Sequence, residues 1–135
     1  MVYRVGINGF GRIGRQVFKA IVDGGFDDLF EVVAVNDLTS PEALAHLLKY
    51  DSTYGPFDAE ISAGKSSLTV NGRTIRVSAE KSPADLPWED ENVSVVVEST
   101  GRFTDAKKAD HHFDAGTDKV IITAPATGED ITIVL

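Results

Sequence analysis

The chain has 135 residues, 42% of them hydrophobic and 25% charged, with a net charge of −8 and no cysteine. That length buries a core without staples, and the composition is that of a globular domain rather than a disordered chain. Disulfides, thiolate metal sites and cysteine nucleophiles are excluded from these residues, and the acidity argues against nonspecific binding to nucleic acid or anionic membrane.

The run YRVGIN (3–8) predicts a buried strand. GRIGRQVFKAIVDG (11–24) predicts a helix with Ile13, Val17, Ala20 and Ile21 on its apolar face, ended by Gly24 and Gly25 in left-handed conformations. FEVVAVN (30–36) predicts a second strand, and SPEALAHLLKY (40–50) a helix with Ser40 as N-cap, Pro41 first, and Leu44, Leu47 and Leu48 as its stripe. In SLTVNGRTIRVSAE (67–80) the apolar period falls to two on either side of Asn71-Gly72, which signals a hairpin. SVVVEST (94–100) predicts another buried strand. TDAKKADHHFDAG (104–116) predicts a helix capped by Thr104 and closed near Gly116. KVIITAP (119–125) and ITIVL (131–135) predict the last two strands, and the sequence stops inside that apolar run as though cut.

Strand and helix alternating in this way predict an α/β fold: a doubly wound, mostly parallel sheet with helices on both faces and an antiparallel hairpin excursion. Trp88 is expected as a packing anchor under the hairpin, and His46 as a satisfied core-edge histidine. His111 and His112 read as a solvated helix face rather than a metal site, because facing positions on a helix lie three or four apart. No metal-ligand set and no catalytic residue are expected here. No apolar run is long enough for a membrane span and no secretory signal is visible, so the expected location is cytoplasmic.

Three glycines, Gly9, Gly11 and Gly14, fall where the first strand gives way to the first helix. In that context Gly9 allows the tight turn, Gly11 lets a diphosphate approach the main chain, and Gly14 lets the helix pack close to the sheet. The helix start adds unpaired N–H groups around Arg12 and Ile13 and the positive end of the dipole. Asp37, closing the second strand, stands at the spacing at which an acid meets the ribose hydroxyls and repels a 2′-phosphate, which selects NAD over NADP.

INGFGRIGR, VVAVNDL, HLLKYDSTYG, VVESTGRFTD and KVIITAPATGEDITIVL, in this order, resemble segments of the phosphorylating glyceraldehyde-3-phosphate dehydrogenases along the whole chain. The resemblance implies a Rossmann-type NAD-binding domain over residues 1–135, and an enzyme that oxidatively phosphorylates glyceraldehyde 3-phosphate to 1,3-bisphosphoglycerate. It implies that Asn8 and Gly9 begin the phosphate turn, that Arg12 and Ile13 supply main-chain amides, and that Asp37 holds the adenosine ribose. Leu38 then lines the adenine side, Lys81 contributes its carbonyl where the family more often has arginine, and Thr100, Gly101 and Phe103 flank adenine and its ribose. Thr123 stands near the nicotinamide end, where many members have serine. The family's cysteine nucleophile and activating histidine have no counterpart here, so these residues alone are expected to hold NAD without turning over substrate. The parent is expected to be a homotetramer that meets glyceraldehyde 3-phosphate through a further, catalytic domain. Two alternatives are erythrose-4-phosphate dehydrogenase, in which the acid after the second strand tends to be Glu, and a free-standing nucleotide-binding module.

Overall fold

Valine and isoleucine fill the middle strands and glycine turns close them, so the strands stack into one buried sheet. The computed structural model describes residues 2–51, 55–103 and 105–133. The elements are β1 (Tyr3–Asn8), α1 (Arg12–Asp23), β2 (Phe30–Asn36), α2 (Pro41–Lys49), β3 (Tyr50–Asp51), β4 (Gly55–Pro56), β5 (Ile61–Ala63), β6 (Ser67–Val70), β7 (Arg73–Ser78), β8 (Val95–Glu98), α3 (Ala106–Ala109), α4 (His111–Asp114) and β9 (Lys119–Ile122). Seven strands form one sheet in the order β5-β6-β7-β2-β1-β8-β9, with β3 and β4 a separate pair. From β7 to β9 every pairing is parallel; β5 and β6 add an antiparallel edge. This is a Rossmann-type α/β sheet. The hairpin turns at Asn71 (φ 50°) and Gly72 (φ 82°), both in the left-handed region that a two-residue turn requires.

Each face of the sheet carries its own core. On one face Val5, Ile7, Val35, Leu68 and Ile75 pack against Phe18 of α1 and Leu44 and Leu48 of α2. On the other, Val33, Ala34 and Val96 pack against Trp88, Leu86, Val93 and Ala115. Trp88 therefore sits opposite the core that the hairpin joins, not under the hairpin. A shift in the β1–β2 register between Val5 and Gly6 accompanies its seat. A Cβ at Gly6 would lie 2.6 Å from the indole Cζ3, so only glycine lets the ring lie on the strand.

Several sequence expectations need correcting. In α1 the buried positions are Gly14, Phe18 and Lys19, with Val17, Ile21 and Val22 partly buried; Ile13 and Ala20 face solvent. The inward stripe is thus rotated, because Gly14 must face the strand. Gly24 is right-handed (φ −77°) and Gly25 alone takes the left-handed turn (φ 74°). Leu47 and His46 are exposed, His46 resting on the Tyr50 ring 5.0 Å away, because Leu44 and Leu48 fill the core-facing stripe of α2. The helix expected over 104–116 is two four-residue helices, with Phe113 N–H donating to the Asp110 carbonyl oxygen in a tightened turn between them. The expected Thr104 cap lies outside the described residues. Residues 131–133 form no strand, and Ile131 and Ile133 are exposed, since no described neighbour offers them a ladder.

Gly6→Ala is expected to cost about 1–3 kcal/mol by overpacking against Trp88. Urea unfolding measures the loss, and the near-ultraviolet dichroism of this single tryptophan reports the displaced ring.

Candidate functional site

Register brings four polar residues to the same rung at the carboxyl ends of adjacent parallel strands. Asn8 of β1 pairs with Asn36 of β2 and with Glu98 of β8, and Asn36 pairs with Ser78 of β7. Their side chains join. The Ser78 hydroxyl and the Glu80 N–H donate to Asn36 Oδ1, each at 2.8 Å. Asn36 Nδ2 donates to Asn8 Oδ1 (2.8 Å) and to the Glu80 carbonyl oxygen (2.9 Å). Asn8 Nδ2 donates to Glu98 Oε1 at 2.6 Å. Because Glu80 presents one fixed donor and one fixed acceptor, the orientation of the Asn36 amide is determined.

Glu98 closes the row and is fully buried. Its Oε1 also meets His112 Nε2 at 2.8 Å, while Oε2 accepts from the Thr100 N–H (3.0 Å) and hydroxyl (2.7 Å). Burial raises the carboxyl pKa, but the donors from His112, Thr100 and Asn8 outweigh it and hold the group below its ordinary value. His112 in turn accepts from Trp88 Nε1–H at 3.0 Å and is wholly buried. The solvated face expected of both histidines holds only for His111, because the turn at Asp110 directs its neighbour inward. Among the described residues no group of three or more potential metal ligands gathers.

Above this row runs the glycine turn. Gly9 takes φ 89°, and a Cβ there would sit 2.8 Å from the Thr100 nitrogen, so the turn tolerates only glycine. Phe10 buries its ring edge-on against Phe18 and donates its N–H to Asp37 Oδ2 at 2.9 Å. Its carbonyl oxygen accepts from the Arg15 guanidinium at 3.1 Å. Gly11 is the N-cap of α1; it offers no side-chain cap, and the first turn holds no acidic residue. A Cβ on Gly11 would meet nothing within 4 Å, whereas one on Gly14 would strike the Gly9 carbonyl oxygen and the Ser99 hydroxyl. Ser99 ties the two turns together by donating to the Gly9 carbonyl oxygen at 2.6 Å.

A cleft of about 360 Å³ opens where α1 begins, between the turns that leave β1, β2, β7 and β8. Here β1 hands on to β2 on one side and has β8 on the other, the switch point at which open α/β sheets bind ligands. Of the residues singled out by sequence, Asn8, Gly9, Gly11, Asp37, Leu38, Lys81, Thr100 and Phe103 line it. Arg12 and Ile13 follow on the exposed first turn of α1, and Gly14 lies beneath. Gly101 makes a left-handed turn (φ 76°) outside the lining, and Thr123, also outside it, donates its hydroxyl to the Glu98 carbonyl oxygen at 3.3 Å. Sequence reasoning missed Asn36, Thr39, Glu80, Ser99 and Arg102 in the lining and Glu98 and His112 below it. The available signal was that each middle strand ends in a polar residue. Which of those align is a matter of register.

Comparison with known proteins gives the family. The family described as glyceraldehyde 3-phosphate dehydrogenase, NAD binding domain, matches residues 3–106. The chain is 57% identical over its full length to a glyceraldehyde-3-phosphate dehydrogenase of Geobacillus stearothermophilus, covering 39% of that protein. It is 57% identical over its full length to glyceraldehyde-3-phosphate dehydrogenase 1 of Bacillus subtilis, again covering 39%. Glyceraldehyde-3-phosphate dehydrogenase 2 of Streptomyces avermitilis is 53% identical over the whole chain, 40% of its own length being covered. The chain thus spans about two fifths of the relatives it matches.

Because the Glu98 carboxyl is held below its ordinary value of 4.5, its contribution to stability is complete above that pH and drains away as pH falls through the lower folded-state value. Glu98→Gln is expected to cost about 1–3 kcal/mol at neutral pH, since an amide turns a donor toward donors. It is also expected to flatten the acid limb, and thermal unfolding between pH 3 and 7 checks both.

Proposed function

The chain belongs to the glyceraldehyde 3-phosphate dehydrogenase NAD-binding domain family, and from that premise we propose that the cleft at the start of α1 holds the adenosine diphosphate half of NAD. NAD is the cofactor of this domain family. The observation that carries the residue-level reading is the juxtaposition, across one cleft, of an uncapped helix start behind an open Gly11 and the acid Asp37. The diphosphate takes the free N–H groups of Arg12 and Ile13, where the helix dipole favours negative charge and no Cβ intervenes. Asn8 and Gly9 begin that turn, and Gly14 seats it.

Asp37 serves two masters. Its oxygens accept from Phe10 N–H and Thr39 N–H, each at 2.9 Å, yet a carboxylate offers about four acceptor positions, leaving room for two ribose hydroxyls. The adenine lies between Leu38 and the Lys81 carbonyl on one side and Thr100, Gly101 and Phe103 on the other. The nicotinamide end runs toward Thr123. The erythrose-4-phosphate alternative is less well supported, because Asp37 stands where that branch tends to have Glu and the relatives compared carry the glyceraldehyde 3-phosphate name.

For the whole protein we propose oxidative phosphorylation of glyceraldehyde 3-phosphate to 1,3-bisphosphoglycerate with reduction of NAD, in a cytoplasmic homotetramer. Residues 1–135 form the cofactor-binding portion of that enzyme. The sequence has no cysteine, so the thiolate that forms the thiohemiacetal and thioester comes from residues outside it. The chain by itself is expected to bind NAD and to produce no NADH when given aldehyde and phosphate.

Gly11→Val is expected to abolish NAD binding in calorimetric titration while leaving the melting temperature near that of the wild type, because the added side chain enters open space. Asp37→Ala is expected to weaken NAD at least about tenfold and also to lower the melting temperature, since two main-chain donors lose their acceptor. Wild-type affinity in Gly11→Val contradicts the diphosphate assignment.

A further inference from the structure

We propose that His112 and Trp88, which do not line the cleft, are positioning residues for the cofactor pocket, acting through Glu98. The inference rests on the reading of the cleft as the NAD site. Its basis is a string of donors whose direction is fixed. Indole Nε1–H is only a donor, so its bond to His112 Nδ1 leaves that nitrogen unprotonated and places the ring proton on Nε2. Nε2–H then donates to Glu98 Oε1. Each Glu98 oxygen ties one wall of the pocket: Oε1 holds the Asn8 amide, at the root of the glycine turn, and Oε2 holds Thr100, against which Gly9 packs.

The carboxylate therefore sets the spacing of the two turns, and His112 fixes the carboxylate. Trp88 is itself fully buried, pressed on the bare backbone of Gly6. A buried polar string is costly compared with apolar packing of similar volume. Here it links the mouth of the cleft to the opposite core, and bonds along such a chain polarise one another. Loading of the pocket with NAD is thus expected to register at the Trp88 indole N–H, on the far side of His112.

The test uses the 135-residue chain, NAD as titrant, and ¹⁵N spectra of the indole and imidazole. In the wild type, NAD binds and shifts the Trp88 indole N–H resonance, with His112 Nδ1 in the unprotonated range and Nε2 in the protonated range. His112→Leu, which keeps bulk but has no donor, is expected to weaken NAD on the order of tenfold and to lose the indole response. His112→Gln, which retains an N–H toward Glu98, recovers most of the affinity; a purely space-filling role predicts the opposite ranking. Should the leucine variant not fold, Trp88→Phe gives the second reading: His112 Nδ1 loses its donor and its resonance moves, the ring is anchored at Glu98 alone, and NAD weakens several-fold. Leucine and phenylalanine variants that bind as the wild type does, or a wild-type indole resonance indifferent to NAD, overturn the positioning role while leaving the cleft assignment intact. A wild type that does not bind NAD removes the cleft assignment, and this inference with it.

Discussion

One row of hydrogen bonds across the carboxyl ends of four parallel strands sets the geometry of everything above it. Ser78, Asn36, Asn8 and Glu98 occupy a single rung, and each side chain finds its partner on the next strand. Parallel strands in register normally bury apolar side chains on both faces. A polar rung at their ends is tolerated because its members satisfy one another: the Asn36 amide uses all of its donors and acceptors, and Glu98 collects four donors. Removing one member leaves its neighbours one partner short, which couples the members of the row.

The rung is what allows glycines to do the rest. A turn of Gly9, Phe10 and Gly11 has little internal preference for one shape. Its shape comes from outside, through Thr100 packed on Gly9, Ser99 and Arg15 bound to its carbonyl oxygens, and Asp37 bound to the Phe10 N–H. With the turn held this way, the start of α1 carries no side-chain cap, and the absence of a Cβ on Gly11 keeps the approach clear. Affinity for a diphosphate then needs no cationic side chain, in keeping with a chain of net charge −8. Family membership names NAD as the cofactor, and the cleft at the start of α1 is where we propose that it sits.

Much of this was legible in the sequence. The strands at 3–8 and 30–36, the N-cap Ser40 and the Asn71-Gly72 hairpin follow from short-range rules, and the structure places them where those rules do. Elements whose fate depends on distant partners were not legible. His112 reads as solvated when 104–116 is taken as one helix, and the break at Asp110 that turns it inward onto Trp88 and Glu98 depends on those distant partners. Ile13 looked like part of the buried stripe because periodicity cannot see that Gly14 must face the strand. ITIVL has strand-forming residues, but a strand also needs a neighbour to bond with. In the site itself, eight of the thirteen residues named from sequence line the cleft. The supporting row was missed because a single sequence shows that strands end in polar residues, not that those ends align.

The most direct measurement is an amide ¹H–¹⁵N titration of the chain with NAD, residue by residue. The largest shifts are expected at the N–H groups of Gly11, Arg12 and Ile13, saturating together with those of Asp37 and Thr100. Shifts confined to another surface, such as the one that Ile21, Val22, Val70 and Arg73 line, or none at all at saturating NAD, would contradict the proposed site.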